Sequence, residues 1–173
     1  FFSPPLPSSC DRISSHSLLL LLLLLHHHPP LSTSFVLCCG ITPLKPTIAM
    51  QDKRVGTGGF FTSPSSSHKL YYETWTPTQS APKAACIFLV GVHESADTEC
   101  VMRLASAFKQ AGVAFLCLEH HGHGRSDGKP QGMVESWELL CKHAIEFFAH
   151  TITLFPRGKV FISGHSMGGG CAP

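Results

Sequence analysis

The sequence predicts an α/β fold in which helices flank a mostly parallel central sheet. Three nearly continuous apolar runs, at residues 86–90, 113–118 and 160–163, suit strands that are buried on both faces of a sheet. The segments between these runs carry apolar residues at helical spacing, and a chain that alternates strand and helix builds a parallel sheet. With 173 residues, the chain is long enough for one such domain.

The segment that precedes these runs predicts a less regular start to the domain. Residues 56–67 are rich in Gly, Ser and Thr, which indicates an irregular or hairpin-forming segment. Residues 70–75 contain aromatic side chains and Thr and predict a strand. Pro77 and Pro82 follow this strand and end it.

Two helices are predicted between the apolar runs. The first has its apolar positions at helical spacing, and Gly112 follows as a C-terminal stop. Its apolar residues are Val101, Leu104, Ala105 and Phe108. The second is longer and carries an apolar stripe that should cover the sheet. This stripe consists of Trp137, Leu140, Cys141, Ala144 and Phe148.

Residues 1–49 differ in composition from the rest of the chain. They contain eight consecutive leucines at residues 18–25 and then three histidines, His26, His27 and His28, to which we assign no role. Two alternatives stay open: an untranslated leader, because no methionine precedes Met50, or a signal-like segment. The leucine run is shorter than the roughly 20 residues that a membrane-spanning helix needs. The folded domain is therefore expected within residues 50–173.

The net charge argues against nucleic acid as a partner, and the cysteines indicate a reducing compartment. A net charge of +2 with 14% charged residues provides no basic stripe for nucleic acid, and no obligate protein partner is evident. Cys86 and Cys117 lie within apolar runs, and none of the eight cysteines has the spacing of a metal pair, which favours reduced thiols. We expect a cytoplasmic protein or one peripherally associated with a membrane, and a secretory route only if residues 1–49 belong to the protein.

The third apolar run leads directly into a glycine-rich motif. Its residues are Gly164, His165, Ser166, Met167, Gly168 and Gly169. The pattern G-x-S-x-G after a buried strand is typical of the nucleophile elbow of α/β-hydrolases, a sharp strand-to-helix turn that lifts a serine above the sheet edge. The flanking glycines suit a turn in which neighbouring backbone leaves no room for a Cβ. We therefore expect Ser166 to be a nucleophile and the Met167 N–H to be a donor to the oxyanion.

A second motif follows the second apolar run and carries a family resemblance. Residues 119–128 read E-H-H-G-H-G-R-S-D-G. This segment resembles the D-H-x-G-H-G-x-S segment of monoacylglycerol lipases and related lysophospholipase-like α/β-hydrolases, and G-H-S-M-G-G at residues 164–169 is similar to their elbow. The resemblance covers about residues 69–170 and implies a serine hydrolase of lipid carboxylic esters, with an acyl-enzyme on Ser166. We predict a lipid ester substrate, peripheral contact with a membrane, no cofactor and no metal.

The resemblance also assigns the loop histidines a role and exposes two departures. In the family this loop shapes the site, so His120, His121 and His123 are expected to be structural rather than to act as a metal site or base. Glu119 stands where aspartate is usual, which preserves the charge and lengthens the side chain. The other departure is the loop after the first apolar run.

That loop reads Gly91, Val92, His93 and Glu94, whereas the family usually has His-Gly followed by the residue that completes the oxyanion hole. Val92 in the glycine position restricts the loop. In one alignment, Val92 takes the place of the glycine of His-Gly, and the His93 backbone N–H is the second oxyanion donor. In the other alignment, shifted by one residue, His93 takes the place of the histidine of His-Gly, and Glu94 stands where the glycine should be. Both alignments stay open. The altered loop also supports the alternative of a non-catalytic binding module with the same fold.

The catalytic acid and base are expected after Ser166, because α/β-hydrolases follow the chain order serine, acid, histidine. Few residues follow the motif in this sequence. We therefore expect residues 50–173 to be the N-terminal half of such a domain, truncated after the elbow and inactive alone. Nucleotide binding by the glycine-rich turn is disfavoured, because neither G-K-[ST] nor G-x-G-x-x-G occurs there.

Overall fold

The computed structural model describes residues 35–36 and 56–172. The predictions for the leucine run and for His26, His27 and His28 lie outside the described residues. The strands within these ranges are β1 (Phe35–Val36), β2 (Thr57–Thr62), β3 (Lys69–Trp75), β4 (Ala84–Leu89), β5 (Val113–Leu118) and β6 (Lys159–Gly164). The helices are α1 (Glu99–Gln110), α2 (Trp137–Leu154) and α3 (Met167–Cys171).

The sheet is mixed, with the strand order β1-β6-β4-β5-β3-β2. Strand β4 pairs in parallel with β5 and β6, and β1 pairs in parallel with β6. Strand β3 is antiparallel to both β5 and β2. The predicted parallel arrangement is therefore correct for β4, β5 and β6. Strand β1 was not predicted, the β2–β3 segment forms a hairpin as its composition allowed, and the antiparallel pairing of β3 with β5 was not anticipated. A short turn joins β2 to β3, and so close a connection permits only antiparallel pairing.

Both faces of the central strands are covered, as their continuous apolar runs predicted. Every residue of β4 and of β5 is buried. On one face, Leu89 and Leu116 pack with Leu140 and Phe147 of α2. On the other face, the Phe115 ring lies 5.2 Å from the Phe108 ring of α1, between centroids. Successive side chains of a strand point to opposite faces, so two helical layers bury one apolar run.

The helices lie where the apolar stripes predicted them, with one error. The four predicted apolar residues of α1 are buried, and Gly112 after it has a φ of 77°. In α2, Leu140 and Ala144 are buried as expected, but Trp137 is 46% exposed. Trp137 is the first residue of α2 and precedes the residues of this helix that pack in the core, such as Leu140. Its ring lies beside Gly170 of α3 instead.

The strand register brings three loops to one edge of the sheet. Leu89 at the end of β4 pairs with Leu118 at the end of β5 and with Gly164 at the end of β6. The segments that follow these three residues therefore start side by side. This carboxyl edge is where ligands bind in open α/β sheets.

The described cysteines form no disulfides with one another, and those in the strands are buried. Cys86 in β4 and Cys117 in β5 have no disulfide partner among the described residues. Within residues 35–36 and 56–172, no helix has the length and hydropathy needed to cross a membrane.

Candidate functional site

Ser166 lies in a sharp turn between β6 and α3. Its φ of 51° and ψ of −117° place it in a region that non-glycine residues rarely adopt. Its side chain is exposed. The turn therefore holds the Ser166 hydroxyl at the protein surface, beyond the carboxyl end of β6.

Two glycines allow the turn to pack against the sheet. A Cβ on Gly164 would collide with the backbone of Gly168, and a Cβ on Gly168 would collide with the backbone of Leu89. Neither contact involves a side chain that could move aside. The glycines predicted at these positions are thus required by close backbone approach, while Gly169 is buried within α3. The Gly168 N–H donates a hydrogen bond to the His165 carbonyl at 2.9 Å, which starts the helix.

Glu94 connects the loop after β4 with this turn. Its Oε2 accepts a hydrogen bond of 2.6 Å from the Gly91 N–H, and its Oε1 lies 2.9 Å from Nδ1 of His165. The His165 N–H donates to the Leu89 carbonyl at 3.1 Å. The carboxylate therefore fixes the loop that carries Val92 and His93 relative to the turn that carries Ser166. The sequence did not reveal this link, because the residues are far apart in the chain.

The loop after β4 has its left-handed backbone conformation at His93, where φ is 60°. Val92 does not have a positive φ, so the position that would favour glycine is one residue later than the sequence suggested. Both side chains are exposed. The His93 ring lies against Gly132, where a Cβ would collide with it. The assignment of the His93 and Met167 N–H groups as oxyanion donors stays a prediction.

Glu119 organises the loop after β5. Its carboxylate is fully buried and accepts hydrogen bonds from the N–H groups of Ala96, at 2.9 Å, and Arg125, at 2.6 Å. The Arg125 guanidinium also donates to it at 2.7 Å and lies 3.8 Å above the centre of the Tyr71 ring. Burial alone would lower the pKa of Arg125, but the hydrogen bonds and charge of Glu119 raise it above its usual value. The hydrogen bond from the Ala96 N–H to the buried Glu119 carboxylate ties this loop to the segment before α1.

The loop histidines are packed among other imidazoles. His120 and His123 are buried, and His121 is largely so. Burial, followed by the proximity of His123 and His143, lowers the pKa of His120 to about 3, so its ring is neutral at neutral pH. The structural role expected of this loop stays a prediction. One further group is present among the described residues: the side chains of His68, His121 and Glu135 offer metal-ligand atoms within 4.8 Å of one another.

The Ser166 hydroxyl makes no hydrogen bond with the residues that the structure describes. The closest imidazole in sequence, His165, directs Nδ1 to Glu94 instead. Within residues 56–172, therefore, no side chain occupies the position of a general base for Ser166. The geometry displays a serine but does not supply the group that would activate it.

Comparison with known proteins places this geometry in a family. Residues 80–172 match the family described as "Serine aminopeptidase, S33". The chain is 31% identical over 104 residues to a monoacylglycerol lipase of Mycolicibacterium smegmatis, an alignment that covers 59% of this chain and 35% of that protein. It is 28% identical over 102 residues to the monoglyceride lipase of Rattus norvegicus, with 58% and 32% covered. The chain thus spans about a third of the length of the curated relatives it matches.

Solved structures show the same fold over part of their length. A soluble variant of monoglyceride lipase from Saccharomyces cerevisiae superposes with a TM-score of 0.58 at 20% identity, covering 73% of this chain and 40% of that one. The esterase Est1E from Butyrivibrio proteoclasticus gives a TM-score of 0.56 at 18% identity, with 62% and 42% covered. The family match covers more than half of the chain, from before β4 through α3. By its sheet, its strand-to-helix turn and this match, the chain belongs to the serine aminopeptidase S33 family of α/β-hydrolases.

Proposed function

We propose that Ser166 is the nucleophile of a serine esterase that cleaves carboxylic esters of lipids, in the manner of monoacylglycerol lipases. The observation that carries this proposal is the exposed Ser166 side chain at a φ of 51°, directly after β6 and before α3. A serine in this geometry is displayed toward a substrate rather than packed into the core. The relatives named monoacylglycerol and monoglyceride lipase support the ester and lipid part of the proposal.

The proposed reaction proceeds in two steps through an acyl-enzyme. Ser166 Oγ attacks the ester carbonyl carbon and loses its proton to a histidine base, and the oxyanion accepts hydrogen bonds from backbone N–H groups. We assign these donors to Met167 and His93. The C–O bond to the alcohol then breaks, and the alcohol leaves with the proton from the base. Water, deprotonated by the same base, attacks the acyl carbon, the bond from that carbon to Oγ breaks, the carboxylic acid leaves, and the base returns its proton to Ser166 Oγ.

The base and its orienting acid are proposed to come from outside residues 56–172. The Ser166 hydroxyl has no hydrogen-bond partner among the described residues, and an unassisted serine is a weak nucleophile at neutral pH. In α/β-hydrolases both partners follow the serine in the chain. We therefore propose that the 173-residue chain, tested alone, hydrolyses esters very slowly.

An apolar substrate is supported by the side chains beside the turn. Trp137 is 46% exposed, and its ring lies against Gly170 of α3. Val92 and Met133 are exposed as well. They directly adjoin His93 and Gly132 in sequence, and the His93 ring contacts Gly132. Exposed large apolar side chains in segments that border a candidate site are typical of apolar ligand contacts. We propose that they contact the acyl chain or a membrane surface, with no nucleic acid or obligate protein partner involved.

Labelling with a fluorophosphonate tests the nucleophile. The samples are the longest natural translation product that contains this sequence and the 173-residue chain, each compared with Ser166→Ala. We expect the longer product to be labelled, Ser166→Ala to abolish labelling, and the 173-residue chain to react at least about 100-fold more slowly, because general-base assistance is worth roughly that factor or more. Ser106→Ala, an exposed serine of α1, is the matched control and should label normally.

Substrate preference is measured on the same samples. Hydrolysis of a monoacylglycerol is compared with hydrolysis of an aminoacyl nitroanilide, because the family description names an aminopeptidase. Faster turnover of the amide, or absence of labelling in the longer product, would overturn the proposed esterase.

The second candidate is a non-catalytic binding module. It is favoured by the loop after β4, where a histidine rather than a glycine occupies the left-handed conformation in the proposed oxyanion region. This candidate would be supported if the longest natural translation product bound a fluorescent monoacylglycerol analogue but was not labelled by the fluorophosphonate.

A further inference from the structure

The loop after β4 and the Ser166 turn meet at one carboxylate. Glu94 Oε2 accepts a hydrogen bond of 2.6 Å from the Gly91 N–H, and the Glu94 N–H donates to the Gly91 carbonyl at 3.3 Å. These two bonds close residues 91–94 into a compact turn. The other carboxylate oxygen, Oε1, lies 2.9 Å from Nδ1 of His165, the residue before Ser166. One side chain therefore contacts both segments.

Gly91 leaves no spare room between the two segments. A Cβ on Gly91 would lie 2.9 Å from Glu94 Oε2 and 3.3 Å from both Nδ1 and the carbonyl oxygen of His165. Gly91 and Glu94 therefore pack directly against the residue that precedes the proposed nucleophile. Because the contact is this close, a shift of the Glu94 carboxylate would change the separation between the loop and the turn.

We propose that Glu94 is a positioning residue for ester hydrolysis, because its carboxylate sets the distance between the loop after β4 and the Ser166 turn. The inference rests on the proposed function, in which the backbone N–H groups of His93 and Met167 stabilise the oxyanion. His93 immediately precedes Glu94, and Met167 lies two residues after His165. The carboxylate thus joins the two segments that carry the two donors.

Such a link matters because two oxyanion donors must be placed together. Donors stabilise a tetrahedral intermediate when they lie about 2.7–3.1 Å from the oxyanion, and loss of one donor lowers the rate roughly 100-fold or more. A misplacement of about 1 Å forfeits much of that factor. In this role Glu94 acts through the position of the His93 N–H and need not touch the substrate.

The tip of the loop is exposed, which makes the carboxylate important for its position. Val92 and His93 are both exposed, and His93 has a positive φ that its own side chain disfavours. The His93 ring lies against the loop after β5, and the bond from the Ala96 N–H to Glu119 holds the far end of the segment. Both of these contacts lead to the loop after β5 rather than to the Ser166 turn.

The contact with His165 is close but incomplete. Nδ1 of His165 is buried and makes no hydrogen bond within the part of the chain that the structure describes, although Glu94 Oε1 is only 2.9 Å away. A buried polar atom without a partner is unfavourable, and a small rotation of either side chain would align the two groups. Hydrogen bonds at active sites often tighten only in the complex with substrate. We therefore expect the link to be tightest when substrate is bound.

The test measures fluorophosphonate labelling of the longest natural translation product that contains this sequence. Labelling at several reagent concentrations separates the maximal rate from the concentration that gives half of it. Glu94→Ala should lower the maximal rate roughly tenfold or more, because the phosphoryl oxygen of the reagent occupies the oxyanion site, and should leave the half-maximal concentration nearly unchanged. Glu94→Gln should recover most of the rate, since its carbonyl oxygen can accept from the Gly91 N–H and its amide can donate to Nδ1 of His165.

Glu99→Ala is the matched control, because Glu99 is an exposed carboxylate at the start of α1 that pairs with Arg103. It should be labelled at the wild-type rate. Amide hydrogen exchange of the same variants in the 173-residue chain gives a readout that does not depend on catalysis. Glu94→Ala should speed exchange of the Gly91 N–H, which loses its acceptor, and should leave the amides of β5 unchanged.

The outcomes separate the positioning role from the proposed function. If the wild-type protein is not labelled, both fail. Wild-type labelling that Glu94→Ala leaves unchanged would overturn the positioning role alone. Equal loss of rate in Glu94→Ala and Glu94→Gln would also overturn it, because the charge rather than the placement of the loop would then matter. Faster exchange of the β5 amides in Glu94→Ala would do the same, since it would show a general loss of stability.

Discussion

Two residues at the candidate site adopt backbone conformations that their side chains disfavour. Ser166 has a φ of 51° and His93 a φ of 60°. Each such residue costs on the order of 1–3 kcal/mol, which the surrounding fold must offset. At Ser166 this backbone conformation leaves the hydroxyl exposed to solvent. At His93 it sets the direction of the loop after β4, and the hydrogen bond from the Gly91 N–H to Glu94 maintains that loop.

His93→Gly should stabilise the protein. Glycine adopts a positive φ without the clash between Cβ and backbone, and this gain exceeds the extra chain entropy that glycine loses on folding. The His93 side chain is exposed apart from its contact with Gly132, so the packing that is lost is small. We expect the free energy of unfolding to rise by about 0.5–1 kcal/mol in urea denaturation.

Val92→Gly serves as the matched control for that substitution. Val92 has no positive φ, so glycine there brings only the entropic penalty and should lower the free energy of unfolding by about 0.5–1 kcal/mol. If both glycine variants shifted stability in the same direction, the strain would not lie at His93. His93→Gly retains the backbone N–H and should therefore leave fluorophosphonate labelling of the longer product intact.

At the scale of elements, α1 and α2 begin differently. Ser136 at the start of α2 accepts a hydrogen bond from the Leu139 N–H at 3.1 Å. Thr98 at the start of α1 makes no such bond to the helix, and its hydroxyl instead accepts from the Ser95 N–H at 3.1 Å. The side-chain cap of α2 therefore stabilises the helix itself, whereas Thr98 stabilises the preceding turn.

Ser136→Ala should lower the free energy of unfolding by about 1 kcal/mol, because the Leu139 N–H loses its acceptor. Ser136→Asp restores an acceptor at the same position and should recover most of that loss, which chemical denaturation can measure. Equal destabilisation by alanine and aspartate would show that the hydroxyl acts by packing rather than as a cap.

The elements were predicted well where local pattern dominates. The continuous apolar runs predicted β4, β5 and β6 because strands buried on both faces need apolar side chains at every position. The hairpin edge was anticipated as a segment, but its antiparallel pairing to β5 was not, since strand partners are chosen by tertiary packing. Trp137 was assigned to the buried stripe by spacing alone. Spacing does not show where along a helix the contact with the sheet begins.

The candidate site was only partly predictable for the same reason. The displayed position of Ser166 follows from a local pattern, G-x-S-x-G after a strand. The contacts of Glu94 with His165 and of His68 with His121 join residues that are distant in sequence, and no spacing rule connects them. The first pair exists because the registered ends of β4 and β6 bring their loops together, and the second because the start of β3 lies beside the end of antiparallel β5.

At the scale of the whole molecule, the carboxylates of Glu119 and Glu94 connect the loops at this edge of the sheet. Glu119 joins the segment before α1 to the loop after β5, and Glu94 joins the loop after β4 to the Ser166 turn. Glu119 is fully buried, so loss of the Arg125 guanidinium would leave its charge without its cationic partner, which is destabilising. The candidate site thus depends on polar contacts between loops, whereas the sheet beneath it depends on apolar packing.

That apolar packing makes the molecule sensitive to alkaline conditions. Burial raises the pKa of Cys86 to about 11, against an ordinary value of 9.0, and a hydrogen bond with Ser163 only partly opposes the shift. Burial also raises the pKa of Cys117. The folded state therefore keeps these thiols protonated when the unfolded state begins to lose their protons. This contribution to stability is fully present below about pH 9 and is lost as the pH rises through about 11.

Urea denaturation across that window should show the free energy of unfolding falling, with Cys86 alone contributing about 3 kcal/mol at the upper end. Cys86→Ala should be less stable at neutral pH because it leaves a cavity, yet its stability should fall less steeply between about pH 9 and 11. Cys100→Ala, at a partly exposed position of α1, should follow the wild-type slope. If Cys86→Ala and wild type declined in parallel, the buried thiol would not be the group that titrates on unfolding.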